Sequence, residues 1–275
     1  MRLLRKGKVK DIYELDDDSI LFHFSDRVSA FDVKMATSIP RKGEVLCRFG
    51  EFWFDTLQTP HHMMKVVEKD KMQVHRLQMI PVECVVRGYF YGSLVERYDA
   101  AGHLPSDFNP VLASKLAQPI FDPTTKSEDH DIPISRRQLI SSRIMSEIDY
   151  DYIEKTSILL YEKMAEIVDR AGFIMADVKF EFGKNDKGHI ILGDSLGPDE
   201  YRLWLKTDYQ PGKIQESYDK QLLRDWLMKT GFKDKIDRLA KEGKKPESPE
   251  IIPEVATELS RRYILAFERV TGRRL

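Results

Sequence analysis

The stretch from Phe173 to Phe182 constrains this chain more than any other. It alternates: Ile174, Ala176, Val178, Phe180 and Phe182 fall on one face of an extended strand, and Asp177, Lys179 and Glu181 on the other. Asn185-Asp186-Lys187-Gly188-His189 is a turn signal, and Ile190 to Asp194 reads as the return strand. A two-residue loop at Lys187-Gly188 would set Glu181 opposite Asp194, with Cβ atoms roughly 5 Å apart. Like charges so placed repel unless a cation lies between them. Magnesium prefers one or two carboxylates completed by phosphates, so the pair is predicted to be a magnesium clip. The expectation depends on register, because a one-residue slip reverses every side chain.

Around this hairpin the first third of the chain is strand-rich. Val9–Leu15 and Ile20–Phe24 flank Asp16-Asp17-Asp18-Ser19, a second hairpin, and Met63–Val67 and Val82–Val86 read as further strands. A helix from Gly43 to Leu57 carries Val45, Phe49, Phe52 and Leu57 near helical spacing and stops at Thr59-Pro60. A short helix is predicted from Ser93 to Ala101. Pro119 to Pro133 has no periodicity and reads as a long functional loop. Ser135 and Gln138 form a capping-box pattern. A long helix follows, with Ile153, Ser157, Leu160, Met164, Ile167 and Ala171 on its core stripe and Gly172 past its end.

Charge excludes some partners. Forty-four basic residues against 45 acidic ones give a net charge of −1, which argues against a nucleic-acid or membrane-surface binder. No apolar run reaches the roughly 18 residues of a membrane span. The charged opening Met1 to Lys6 lacks a signal-peptide core. Cys47 and Cys84, in apolar company, read as buried thiols of a reducing compartment, so a cytoplasmic location is expected.

Two anion-binding elements stand out. Gly7-Lys8-Val9-Lys10 lacks phosphate-loop spacing, but on a strand Lys8 and Lys10 would point the same way beside a glycine. Arg87 ends a buried strand shortly before a helix that opens at Ser93, and a helix N-terminus beside an arginine suits an anion. Taken singly, each is also an ordinary surface patch or an ordinary cap.

In sequence order these elements resemble the SAICAR synthetase (phosphoribosylaminoimidazole-succinocarboxamide synthase) family. The matching stretches are Gly7 to Tyr13, Ser25 to Asp32, Pro81 to Gly88, Gly92-Ser93, Lys126-Ser127-Glu128, His130-Asp131 and Asp177 to Gly183. Pro198-Asp199, Arg202-Leu203-Trp204, Ser217 to Gln221, Leu223 to Leu227 and Tyr263 to Gly272 continue the match. The resemblance implies an α+β, two-lobed fold: a kinase-like antiparallel ATP lobe (residues 1–86) packed on a mixed α/β substrate and metal lobe (87–275). It implies a ligase using ATP and Mg2+ to join L-aspartate to a carboxyaminoimidazole ribonucleotide in purine biosynthesis, by way of a phosphorylated carboxylate. Lys8 and Lys10 then match the lysines on ATP, and Glu181 and Asp194 the metal ligands. Lys179, Asp177 and Asp131 fall at the reacting groups. Arg87, Ser93, Arg202, Lys126 and Asp199 fall at the substrates. Small-molecule partners are implied, with neither nucleic acid nor membrane, and a homo-oligomer is left open.

The sequence departs from the family's pattern after Asp194, where Ser195 replaces a usual acidic residue, Leu196-Gly197 is unusual and the loop before Asp131 is short. A small-molecule kinase with the same ATP lobe, a ligase for another amine, and a catalytically silent nucleotide binder are the alternatives.

Overall fold

The computed structural model describes residues 1–31, 33–101, 111–126, 132–244 and 246–275, with the side chains of 98–101 excepted. Asp131 lies outside the described residues.

The first sheet is antiparallel, in the order β1-β2-β3-β7-β6. It begins with β1 (Arg2–Lys6), an exposed edge strand that the sequence pattern does not show. Next come β2 (Lys10–Glu14) and β3 (Ser19–Phe24), paired from Lys10↔Phe24 to Glu14↔Ile20 as the hairpin reading requires. Asp16 closes the turn, its Oδ1 accepting from the backbone N–H of Asp18 (3.0 Å) and Ser19 (2.6 Å). The short strands β4 (Ser29–Ala30) and β5 (Val33–Lys34) pair beside it. Helix α1 (Lys42–Leu57) buries Val45, Phe49, Trp53 and Leu57, while Phe52 is half-buried. Each large apolar side chain so buried contributes about 1.5–3 kcal/mol. β6 (Met63–Glu68) and β7 (Lys71–His75) complete the sheet.

β8 (Gln78–Met79) and β9 (Val82–Tyr89) open the second sheet. Residues 86 and 87, where the sequence divides the chain into lobes, are neighbours inside β9; the link between the sheets is Arg76-Leu77. Helix α2 (Ser93–Ala101) follows, then β10 (Lys115–Phe121) and β11 (Thr124–Thr125), both paired with β9. Residues 119–121 and 124–125 of the expected loop are therefore drawn into the sheet edge, while 127–131 lie outside the described residues. The capping box holds, but it opens only the six-residue α3 (Arg136–Ser141). The long α4 (Glu147–Arg170) has its own cap, Ser146.

β12 (Phe173–Lys184) is the central strand, bordered by β9, by β13 (Ile190–Gly193) and by β14 (Tyr201–Leu205). Two expectations about it are corrected. A bulge at Ala176 breaks the alternation against β14. Phe173 and Met175 therefore join Val178, Phe180 and Phe182 in the main core, while Ile174 and Ala176 pack with Trp204 in a second cluster. The hairpin register is also one residue off the expectation, with Glu181 opposite Gly193 rather than Asp194. The loop is Asp186-Lys187-Gly188, and Gly188 adopts φ 77°. Asn185 selects this longer turn, its Oδ1 accepting from the N–H of Lys187 (3.1 Å) and His189 (2.9 Å).

Helices α5 (Gln221–Lys229), α6 (Phe232–Lys241) and α7 (Pro253–Thr271) end the chain, α7 packing on α1. Cys47 and Cys84 are free and buried, and burial raises both thiols. Among the described residues no helix is long and apolar enough to cross a membrane.

Candidate active site

Strand β12 gathers two clusters of opposite character. At its first end Asp177 sits between two arginines, because β9 pairs Arg87 with it and β14 pairs Arg202 with it from the other side. Asp177 keeps the face of Lys179 and Glu181, and the bulge at Ala176 reverses Phe173 and Met175 before it instead. Arg202 donates to Asp177, and Arg87 NH1 lies 3.7 Å from the same carboxylate. Arg87 is 4% exposed; its Nε donates to Asp122 (2.5 Å) and its NH2 to Ser93 Oγ (3.0 Å). Arg97 adds a two-pronged bond to Asp122, so one carboxylate holds two guanidinium groups. The chain passes Arg202 at Gly92, where φ is 64° and an added Cβ would meet Arg202 NH2 at 3.0 Å. Only glycine suits that turn.

Behind this cradle stand Lys220 and Arg224. Burial lowers Lys220 to about 8 against the pull of Asp199. Burial and then the Arg202 guanidinium lower Arg224, whose NH1 donates to Gln221 Oε1 (3.5 Å). Asp199 is turned away from the cleft. Its side chain is 3% exposed and bound by the fully buried Lys42 (2.8 Å) and by Tyr263 Oη (2.7 Å). Burial pushes this carboxyl up, but Lys42 and Lys220 overrule it and hold it well below the usual range.

At the other end the cations are lysines. Lys179 Nζ meets Glu83 (2.8 Å) and Glu200 (3.2 Å). Burial opposes its charge, but Glu200 and Glu83 raise Lys179 far above the usual lysine range. It is an ammonium at any working pH. Lys126 contacts Glu181. Burial raises the Glu181 carboxyl; Lys126 and Lys179 outweigh burial and keep it ionised. Lys10 reaches from the first sheet to Asp194 and to Ser195 Oγ (3.3 Å), with its ammonium 4.5 Å from the Phe22 ring centroid. Burial lowers Lys10 to about 8, opposed first by Glu181. Lys8 does not share its strand face: β2 begins at Lys10, and Lys8 lies exposed in the preceding bend.

Glu181 and Asp194 are thus not a directly opposed pair. Asp194 instead follows β13 in the left-handed region, at φ 55°. Among the described residues no group of three or more metal-ligating side chains forms. The donor set still fits magnesium that arrives with phosphates, since both carboxylates face Lys10 and need few further protein ligands.

A family model described as SAICAR synthetase matches residues 3–239. The chain belongs to the SAICAR synthetase family. It is 52% identical over 276 residues to the phosphoribosylaminoimidazole-succinocarboxamide synthase of Nitrosopumilus maritimus, covering all of both chains. Its fold matches a SAICAR synthase from Saccharomyces cerevisiae complexed with SAICAR, with TM-score 0.84, 32% identity and coverage of 99% of this chain and 95% of that one. A SAICAR synthetase in complex with ADP aligns with TM-score 0.75 at 25% identity, covering 98% of each chain. These SAICAR synthetases share the two-lobed α+β architecture seen here.

Sequence reasoning missed Glu83, Asp122, Glu200, Lys220 and Arg224. The stretches quoted for the resemblance contain Glu83, Lys220 and Arg224, yet nothing in their spacing shows what they face. Glu200 becomes visible only when β14 sets it against Lys179, its carbonyl accepting from the Lys179 N–H at 2.8 Å.

Proposed function

We propose that the chain joins L-aspartate to the carboxylate of 5-amino-1-(5-phospho-D-ribosyl)imidazole-4-carboxylate, releasing ADP and phosphate, as an ATP-dependent ligase of purine biosynthesis. One observation carries this reading. The face of β12 from Asp177 through Lys179 to Glu181 runs from the arginine cradle to the lysine cluster, about 13 Å at 3.3 Å per residue. A mononucleotide laid along it would give its 5′-phosphate to Arg87, Ser93 and Arg202 and its carboxylate to Lys179.

ATP enters from the first sheet, its phosphates on Lys10 with Lys8 at the rim. Glu181 and Asp194 would hold Mg2+, which when bound neutralises charge on the transferring phosphoryl group. The substrate carboxylate oxygen bonds to the γ-phosphorus as ADP leaves. The aspartate amine then bonds to the acyl carbon as phosphate leaves and a proton is lost. Lys179 cannot take that proton, because Glu83 and Glu200 keep it charged; it orients the carboxylate and the acyl phosphate instead. Lys126 supplies a further cation to the anionic substrates. Asp177 fixes the two arginines, and Asp131 is assigned near the reacting groups.

ADP release tests the reading. Continuous turnover of ATP to ADP should need the ribonucleotide and L-aspartate together with Mg·ATP, with no more than one equivalent of ADP per site formed before the amine is added. Continuous turnover that does not depend on aspartate would replace the ligase with a kinase, and turnover with another amine would reassign the second substrate.

A further inference from the structure

The nucleotide end contains a buried imidazole that the ligase reading does not use. His62 is 2% exposed, and its Nε2 lies 2.8 Å from the carbonyl oxygen of Asp194. A carbonyl only accepts, so Nε2 carries the proton and donates. The ring comes from a pinned backbone: the His62 N–H donates to Leu192 (3.1 Å), and its carbonyl accepts from His75 (2.8 Å). Phe22 and Phe54 meet it edge-on at 5.5 and 5.6 Å between ring centroids. His61 forms a parallel bridge to Leu192, so this segment also joins the first sheet to β13. Asp194, the residue it grips, has φ 55°, a left-handed conformation that a non-glycine residue keeps only where its surroundings over-determine it.

We propose that His62 is a positioning residue, holding Asp194 in its left-handed conformation so that the carboxylate faces Lys10 at the nucleotide end. Releasing that hydrogen bond frees Asp194 to relax toward an ordinary φ and swings its carboxylate off Lys10. Glutamine reaches equally far, since its amide Nε2 stands as many bonds from Cα as the imidazole Nε2. The proposal rests on the ligase reading only for what binds against Asp194.

The test uses His62→Ala, His62→Gln and Asp194→Asn in the full chain, with calorimetric binding of Mg·ADP and of metal-free ADP. His62→Ala should weaken Mg·ADP about tenfold, the loss expected when one buried hydrogen bond leaves its acceptor unpaired. Metal-free ADP should change far less, and His62→Gln should keep most of the Mg·ADP affinity. In the Asp194→Asn background His62→Ala should add nothing. Equal losses for Mg·ADP and metal-free ADP, equal losses in the Ala and Gln variants, or a full loss in the Asp194→Asn background would each overturn the proposal. A wild type that binds no ADP would overturn the ligase reading instead. The positioning role is then decided by the crystal structure of His62→Ala: it stands if Asp194 leaves Lys10, and falls if Asp194 keeps its φ and its contact.

Discussion

At the Asp177 end of β12 the cations are arginines, each fixed by carboxylates of the same sheet and its flanking loop: Arg87 by Asp122 and Asp177, Arg202 by Asp177. At the Glu181 end they are lysines from three separate segments: Lys10 from the first sheet, Lys126 beyond β11 and Lys179 from β12 itself. A guanidinium is a rigid planar fork that matches one orientation of a phosphate, whereas an ammonium is a point charge on a flexible stem. The contrast suits a ligand part that must stay fixed at one end and a group that must travel at the other. It also shows which end depends on its own scaffold.

The sharpest break would come from Asp199, which lies behind the arginine cradle. Asp199→Ala leaves the fully buried Lys42 uncompensated, and denaturant unfolding should show a loss of about 3–5 kcal/mol. Unchanged stability with only a raised KM would mean that Asp199 meets substrate directly and that this end is not braced by buried charge.

Next is Lys179→Met. At the lysine end the loss should fall on kcat, about 100- to 1,000-fold as for removal of one electrostatic stabiliser, with the ribonucleotide KM little changed. A loss confined to KM would make Lys179 part of the ground-state binding surface.

Arg202→Lys should act in the opposite way. It keeps the charge and loses the fork, so the ribonucleotide KM should rise about 10- to 100-fold, the worth of one hydrogen bond to a charged group, while kcat holds. Equal performance by lysine there would erase the distinction between the two ends.

The smallest effect is a pH dependence. Lys220, lowered by burial to about 8, is charged below that pH and neutral above it. Ribonucleotide affinity should therefore fall as pH rises through about 8, and Lys220→Met should bind weakly with no inflection there. An inflection that persists in the variant would assign the titration to another group.

Much of the architecture was legible because it rests on local chemistry. The Asp16 turn, the Ser135–Gln138 cap and the α1 and α4 stripes involve residues within a few positions of each other, where 3.6- and 2-residue periods carry the signal. The edge strand β1 was not legible, since an exposed strand has no apolar face to reveal it. The site was legible in part. Arg87 and Ser93 meet directly and Arg202 joins them through Asp177, because β9 and β14 both pair with β12 at that residue. Lys8 and Lys10 do not share a strand face, because β2 starts after the bend.

The sequence by itself determined the kinds of groups present: a β12 face of alternating charge, an arginine near a serine, lysines at the start of the chain, and the order of motifs that places it among the SAICAR synthetases. The tertiary structure decided which of them touch. Asn185 settles the choice between a two-residue and a three-residue loop with contacts whose outcome appears only at Gly193. A bulge at Ala176 puts Phe173 and Met175 into the main core and Ile174 into a second cluster. His62 meets Asp194 across 132 positions of chain, and such a contact leaves no periodicity to read, because it is fixed by how two sheets pack and not by how either strand alternates.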